Sequence, residues 1–324
     1  MAFACHTLSC GITISGFADE LLRDFFRGSI WQPLLLEVSS LPVMTKSPET
    51  VVADSSIDTA ALAGEVFSTN ESTSWIQSDS WTGNQTDQTR PFFDAASQIN
   101  PGGGQEGGRD ASRIREAESL GSWARANSCL IDPKEIDDLP LVSNSTSEHE
   151  VHYRQCDSRA VKKTWPGVYG QVPIPNNGRL DRANAIPSEY LIRQALQVAV
   201  FGSDIRLEGV SISDKPSMVL FEPPGQPSLV ISQEWFEGGK APTMDEIAVR
   251  LGADGFFSAP HSYFGWYRPL DGVVIVDAKP DNFVKTPAGV VPIDLQMAVF
   301  TAEQLKEAGL ADPNSLVKKL NSLS

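Results

Sequence analysis

The residues best suited to chemistry follow an apolar, β-branched run, Val273–Val276. Asp277 ends this run, Lys279 lies two residues further on, and Asn282 lies five residues after the acid. A second apolar run ends in Asp294, twelve residues past the asparagine. Carboxylate and amide oxygens are the ligands that Mg²⁺ prefers, and a lysine adds a positive charge for phosphate. The spacing therefore predicts a site for Mg²⁺ and a nucleotide triphosphate, against the alternative of an ordinary turn between two strands.

The elements that must position this site include a strand with two adjacent lysines. The segment Arg159–Thr164 is typical of a strand, and short strand candidates precede it at 139–142 and 150–153. We predict that the three are antiparallel and form one layer. Lys162 and Lys163 point to opposite faces because side chains alternate along a strand. Position in the strand favours Lys162 as the phosphate-binding residue, and Lys163 remains the alternative.

A helix is predicted between Pro187 and Gly202, residues that typically begin and end helices. Glu189 lies in its first turn, where an acid either stabilises the helix dipole or holds a lysine of the neighbouring strand. A later apolar strand ends in Gln233 and Glu234 just before a glycine turn. In the simplest interpretation, the two residues end an ordinary strand, and the chain leaves the sheet after them.

Other segments complete the predicted order of elements. Ala111–Asn127 has helical periodicity, and 165–186 is rich in Pro, Gly and Asn and is predicted to be a loop. Helices are also predicted after the capping residues Thr243 and Thr301, and at 312–323.

The region from about residue 111 to residue 300 resembles the protein-kinase-like superfamily. It is similar in particular to the compact kinase-like domain of bacterial and phage polyvalent proteins, which is proposed to be a serine/threonine/tyrosine kinase. The segments that carry the resemblance are Glu148–Val151, Val161–Thr164, Ser188–Leu191, Ser232–Glu234, Asp277–Asn282 and Pro292–Asp294. The resemblance implies an α+β, bilobal fold with an antiparallel N-lobe sheet, one helix in that lobe and a small, mostly helical C-lobe.

The resemblance also implies roles for the residues around Asp277. Asp277 would orient or deprotonate the attacking hydroxyl, and Lys279 would neutralise the transferred phosphoryl group. Asn282 and Asp294 would hold Mg²⁺. The expected activity is transfer of a phosphoryl group from ATP to a hydroxyl on a protein or a small molecule.

The implied nucleotide-binding residues lie in the first lobe. Lys162 would contact the α- and β-phosphates, and Glu189 would hold that lysine. Gln233 and Glu234 would form the hinge, whose backbone groups meet the adenine.

The chain departs from the kinase pattern in four places. Ile275–Val276 precedes Asp277 where the family has His-Arg, and Leu295–Gln296 follows Asp294 where it has Phe-Gly. Ser143–Ser147 stands where a glycine-rich phosphate loop is usual, and only 30 residues follow Asp294. These departures favour a pseudokinase, a nucleotide-binding or interaction module without turnover. A third possibility is an accessory protein of a mobile element, which would use its disordered arm to find a partner.

Composition sets further limits on the protein. The 324 residues carry a net charge of -15, which argues against nucleic acid as a partner. Four cysteines without metal-like pairing favour neither zinc nor a disulfide framework and fit the cytoplasm. We expect no signal peptide and no membrane-spanning helix. Residues 1–110 are expected to be a largely disordered arm with a short helix near 17–27, and 111–324 the kinase-like domain.

Overall fold

The computed structural model describes residues 87–101, 108–143, 148–214 and 225–310. All of these residues belong to one unit of the chain, Phe67–Ser324. The helix predicted near 17–27, the arm up to residue 86 and the helix predicted at 312–323 lie outside the described residues.

The described residues are α+β, as the sequence predicted. The strands are β1 Leu130–Ile131, β2 Leu141–Ser143, β3 His149–Arg154, β4 Arg159–Thr164, β5 Gln171–Asn176, β6 Arg179–Asn184, β7 Ile205–Ile212, β8 Pro227–Glu234, β9 Phe257–Ser258, β10 Trp266–Arg268, β11 Val273–Val276, β12 Phe283–Thr286, β13 Gly289–Pro292 and β14 Gln296–Val299. The α-helices are α1 Arg90–Ile99, α2 Gly108–Ala126, α3 Pro133–Asp137, α4 Pro187–Phe201, α5 Met244–Ala253 and α6 Ala302–Glu307. A short 3-10 turn, Pro280–Asn282, joins β11 to β12.

A six-stranded sheet forms the first half of the described fold. Its strand order is β1-β7-β8-β4-β3-β2, and every neighbouring pair is antiparallel except β1 and β7. The predicted layer of three antiparallel strands is confirmed, because β2, β3 and β4 lie side by side. Strand β4 is interior to the sheet, with Lys162 opposite Val151 of β3 and Ile231 of β8.

Local sequence signals fix both ends of helix α4, whose Tyr190 hydroxyl lies 2.9 Å from His149 Nε2 of strand β3. Pro187 occupies the first turn, and Gly202 caps the C-terminus with φ of +67°, a left-handed conformation that glycine adopts at little cost. The helix contacts α1, α2, β5 and β14, so almost all of its side chains are buried. None of the helices in the described ranges is both long and apolar enough to cross a membrane.

Helix α1 corrects the predicted domain boundary between residues 110 and 111. Phe92, Ala95, Ala96 and Ile99 are buried in the main hydrophobic core, and the helix packs on α4. The four positions repeat at helical spacing, but the polar segments around them hid that signal. The folded domain therefore begins before residue 111, and helix α2 contacts β7 and β8 of the six-stranded sheet.

The prediction of a loop over 165–186 is wrong for residues 171–184, which form the β5–β6 hairpin. Asn177 and Gly178 connect the two strands with φ of +49° and +84°. Two successive positive φ values are typical of the type I′ turn that an Asn-Gly pair favours between strands. Pro173 and Pro175 obscured the strand pattern, although prolines are tolerated in an edge pair such as this one.

Replacing Gly178 with alanine tests this turn. A Cβ at Gly178 meets nothing within 4 Å, so the substitution changes only the cost of the backbone conformation. We expect Gly178→Ala to lower the free energy of unfolding by about 1 kcal/mol, measured by urea denaturation. Gly252, in helix α5, also has open space around its Cβ but no positive φ, and Gly252→Ala is expected to be neutral or stabilising. Equal effects of the two substitutions would contradict the proposed turn.

The predicted mostly helical C-lobe is wrong for the described residues after Glu234. Strands β14, β11, β10 and β9 form a four-stranded sheet in that order, and β12 pairs with β13. All six of these strands have four residues or fewer. Strands β11 and β13 coincide with the apolar runs before Asp277 and Asp294, whereas β9, β10 and β14 were not predicted. The predicted starts of α5 and α6 are confirmed, because Thr243 and Thr301 cap them with their side chains.

Candidate active site

A tight turn after β11 brings Asp277, Lys279 and Asn282 together. Asn282 Nδ2 donates to the Asp277 carbonyl oxygen at 2.6 Å and to Asp277 Oδ2 at 3.0 Å. Lys279 Nζ lies 3.0 Å from the same Oδ2. Asp277 has φ of +61°, a conformation that residues with a side chain rarely adopt. The contacts from Lys279 and Asn282 hold the acid in this conformation.

Arg182 reaches the same acid from β6, and sequence reasoning missed it. Its Nη1 lies 3.4 Å from Asp277 Oδ1, and about half of the arginine side chain is exposed. Because the segment was predicted to be a loop, no residue of it was placed near Asp277. The Asn177-Gly178 pair was the signal that could have revealed the hairpin.

The β12–β13 hairpin returns the chain from Asn282 to Asp294. Phe283 pairs with Pro292, and Ile293 N donates to Asn282 O at 2.9 Å. Asp294 therefore follows directly after a residue bonded to Asn282, and 28% of its side chain is exposed. Asn282 uses Nδ2 on Asp277, which leaves Oδ1 as its potential metal ligand. A carboxylate and an amide oxygen are hard donors, so the two residues fit Mg²⁺.

Lys162 joins this group from the six-stranded sheet. Its side chain is buried, and Nζ donates to Ile293 O at 2.7 Å. Lys163 points to the opposite face, where it pairs with Asp137 at 3.0 Å and Glu150 at 2.6 Å. The structure therefore brings Lys162, and not Lys163, to Asp294.

Glu189 does not hold Lys162, contrary to the prediction. The glutamate accepts from Arg109 at 2.9 and 2.6 Å and from Ile186 N at 3.0 Å, as a cap of helix α4. The helix-dipole alternative was the better description of this residue. The next turn of the helix carries Arg193, which lies next to Lys162 and Asp294.

Arg193 forms the centre of a buried ion-pair network. Its side chain is 1% exposed, and Nη2 lies 2.7 Å from Glu148 Oε2 and 3.0 Å from Asp294 Oδ1. Glu148 Oε1 in turn accepts from Gln171 N at 3.1 Å and from Gln296 Nε2 at 2.9 Å. Sequence reasoning assigned no role to Arg193, because a lone arginine in a helix carries no pattern of its own.

His149 borders the network, but the cluster is not arranged as a metal centre of its own. Ligand atoms of Glu148, His149 and Asp294 lie within 4.8 Å of one another. However, both Glu148 oxygens are engaged by protein donors, and His149 Nε2 lies 2.9 Å from the Tyr190 hydroxyl. Arg193 also stands between the two acids, and its charge would repel a cation placed there.

Burial and the neighbouring charges together determine the pKa values of Lys162 and Asp294. Burial lowers the pKa of Lys162, and Arg193 adds to that effect, while Asp294 and Glu148 oppose it. Burial raises the pKa of Asp294, but Lys162 and the neighbouring cations, Lys279 among them, outweigh burial and hold that pKa well below its usual range. Asp294 is therefore ionised at neutral pH, as a metal ligand must be.

The network predicts a pH dependence of stability through His149. Burial lowers the pKa of His149 from 6.5 to about 4 in the folded protein. Its contribution is therefore complete above pH 6.5 and is lost as the pH falls toward 4, because only the unfolded chain takes up the proton over that range. The expected loss is about 3 kcal/mol, measured by urea unfolding in EDTA at several pH values.

Two histidine variants test whether His149 causes this pH dependence. His149→Gln should show a weaker fall in stability on acidification than the wild type. His261 is exposed and has φ of +60°, which suits asparagine, so His261→Asn should retain the wild-type pH dependence. An unchanged slope in His149→Gln would contradict the assignment.

Gln233 and Glu234 are the residues predicted to form the hinge. They end strand β8; Gln233 is buried and Glu234 is exposed. Trp235 N then donates to Ser158 O, and Lys240 pairs with Lys285 of β12. The segment after Glu234 thus leads from the six-stranded sheet to the hairpin that follows Asn282.

Comparison with protein-family models, with curated proteins and with solved structures finds no match to this chain.

Proposed function

We propose that this chain is an ATP- and Mg²⁺-dependent phosphotransferase of kinase-like fold, whose acceptor is a hydroxyl on a protein or a small molecule. One observation carries the proposal, a chain of contacts that joins groups far apart in the sequence. Lys162 Nζ bonds Ile293 O, Ile293 N bonds Asn282 O, and Asn282 Nδ2 bonds Asp277. A lysine, an amide and two acids, Asp277 and Asp294, thereby converge in one place.

The architecture around these contacts supports a nucleotide site between two parts of the fold. Strand β4, which carries Lys162, lies between β3 and β8, and the Arg193 side chain of α4 bonds Glu148, the residue before β3. Strand β8 ends at Glu234, and the chain then forms the part that carries the Asp277 turn. Lys162 would contact the nucleotide phosphates, and backbone groups near Gln233 and Glu234 would meet the adenine.

The side chains have separate roles in the proposed reaction. Asp277 would orient the acceptor hydroxyl and take its proton as the new oxygen–phosphorus bond forms. The bond between the γ-phosphorus and the β-phosphate oxygen breaks, and ADP leaves. Lys279 would neutralise charge on the transferred group. Asn282 and Asp294 would hold Mg²⁺, which when bound supplies charge neutralisation at the phosphates. We place this reaction in the cytoplasm.

The test is an assay of the purified full-length chain with ATP labelled at the γ-phosphate. We expect ADP release and transfer of label to the protein itself or to added hydroxyl compounds. Removal of Mg²⁺ with EDTA should abolish both signals, and added Mg²⁺ should restore them. ADP release and label transfer no higher than in EDTA would contradict the proposal.

A second candidate is a nucleotide-binding module without turnover. The contact between Arg193 Nη2 and Asp294 Oδ1 at 3.0 Å favours it, because the arginine occupies one oxygen of the proposed metal ligand. This candidate predicts that ATP with Mg²⁺ raises the melting temperature while no ADP forms. Saturating nucleotide, at about 100 times its Kd, would add about 2.7 kcal/mol to the free energy of unfolding.

A further inference from the structure

Helix α4 presents a cation, rather than an acid, to the proposed site. Arg193 lies one helical turn beyond Glu189, and its guanidinium joins acids from two distant parts of the chain. Nη2 donates to Glu148 Oε2 at 2.7 Å and to Asp294 Oδ1 at 3.0 Å, while Nη1 donates to Gln171 O at 3.1 Å. The arginine is therefore fixed between Glu148 and Asp294.

Residues from several elements hold the Glu148 side chain in place. Its two oxygens accept from Gln171 N, Gln296 Nε2 and Arg193. The backbone of Gly170 also approaches so closely that a Cβ there would lie 2.5 Å from the Glu148 carboxyl carbon. Gly170 has φ of +70°, a second reason for glycine at that position. This packing holds the Glu148 carboxylate in a single orientation.

Arg193 leaves part of Asp294 accessible. The arginine takes Oδ1, whereas Oδ2 lies 3.8 Å from His149 Nδ1, and 28% of the side chain is exposed. An arginine beside a metal ligand would by itself repel a cation. Glu148 offsets the charge of Arg193, so that Asp294 keeps its attraction for Mg²⁺ while its rotation stays fixed.

We propose that Glu148 and Arg193 are positioning residues that orient Asp294 for Mg²⁺, in the place that the sequence resemblance gave to Glu189. This inference rests on the proposed phosphotransferase function. Neither residue needs to touch substrate. Partners that orient a metal ligand typically contribute about 10- to 100-fold to metal affinity or activity, which is the size of effect expected here.

The test compares Glu148→Gln with Glu189→Gln, which remove the same charge from two places. The measurements are the Mg²⁺ concentration that gives half-maximal ADP release at saturating ATP, and the Kd of Mg²⁺ measured by titration calorimetry in the presence of a non-hydrolysable ATP analogue. Glu148→Gln should raise both about tenfold or more, because Arg193 is left as an unbalanced cation beside Asp294. Glu189→Gln keeps an acceptor for Ile186 N and should leave the Mg²⁺ requirement unchanged. A purely structural role would lower stability without changing the Mg²⁺ requirement.

A milder substitution covers the case in which Glu148→Gln does not fold. Gln296→Leu keeps every charge but removes the donor to Glu148 Oε1, so it should raise the Mg²⁺ requirement by a smaller factor. Circular dichroism confirms the fold of each variant before the assay.

The outcomes separate the inference from the proposed function. A wild-type Mg²⁺ requirement in Glu148→Gln, or a larger rise in Glu189→Gln, overturns the positioning role while wild-type ADP release still supports the phosphotransferase. If the wild-type chain forms no ADP, the proposed function fails, and the Kd of Mg²⁺ alone then decides the positioning role.

Discussion

Asp294→Ala is expected to abolish Mg²⁺-dependent ADP formation, with a loss of about 1,000-fold or more. Asp294 is the residue at which the separate parts of the site meet. Arg193 bonds its Oδ1, Lys162 bonds the carbonyl of the preceding residue, and that residue bonds Asn282. Alanine removes the only carboxylate that the proposed Mg²⁺ site contains. A 1,000-fold loss corresponds to about 4 kcal/mol of transition-state stabilisation.

The measurement is ADP release across a range of Mg²⁺ concentrations, with circular dichroism to show that the variant is folded. Asp294→Asn, which keeps an oxygen acceptor for Arg193, separates loss of the charge from loss of the side chain. Asp281 is an exposed acid in the turn next to Asn282, and Asp281→Ala serves as the matched control with activity near that of the wild type. Full activity in Asp294→Ala would eliminate the phosphotransferase assignment.

Arg193→Met is expected to lower the free energy of unfolding by about 3–5 kcal/mol. Methionine fills much of the space of the arginine stem but leaves the Glu148 and Asp294 carboxylates without their shared partner. The Glu148 side chain is 9% exposed, so its charge cannot be solvated well. Removing one member of a buried ion pair is costly because the other charges stay buried and uncompensated.

Urea denaturation at neutral pH measures this effect. Arg182 provides the control because it also contacts an acid of the site, at 3.4 Å, but about half of its side chain is exposed. Arg182→Met should cost less than about 1 kcal/mol, as exposed ion pairs contribute little. Similar losses of unfolding free energy in Arg182→Met and Arg193→Met would contradict the prediction that burial determines the cost of removing an ion pair.

Sequence patterns that span a few residues predicted much of the fold. Pro187 and Gly202 marked helix α4, Thr243 and Thr301 marked two further helices, and the segment Arg159–Thr164 was predicted as the strand that is β4. Such signals are readable because caps and periodicity act over one or two turns of chain. They failed where the elements were short, as in β9, β10 and β14, or interrupted by proline, as in the β5–β6 hairpin.

The candidate site also has one part that the sequence predicted and another part that it did not. The spacing of Asp277, Lys279 and Asn282 by itself determined that they meet, because a turn of six residues leaves them few alternatives. The rotation of helix α4 about its own axis determines which of its residues faces Lys162 and Asp294. Only the tertiary structure decided that it is Arg193, joined to Glu148 across 45 residues and to Asp294 across 101. Contacts at such separations arise from the packing of whole elements and leave no local pattern in the sequence.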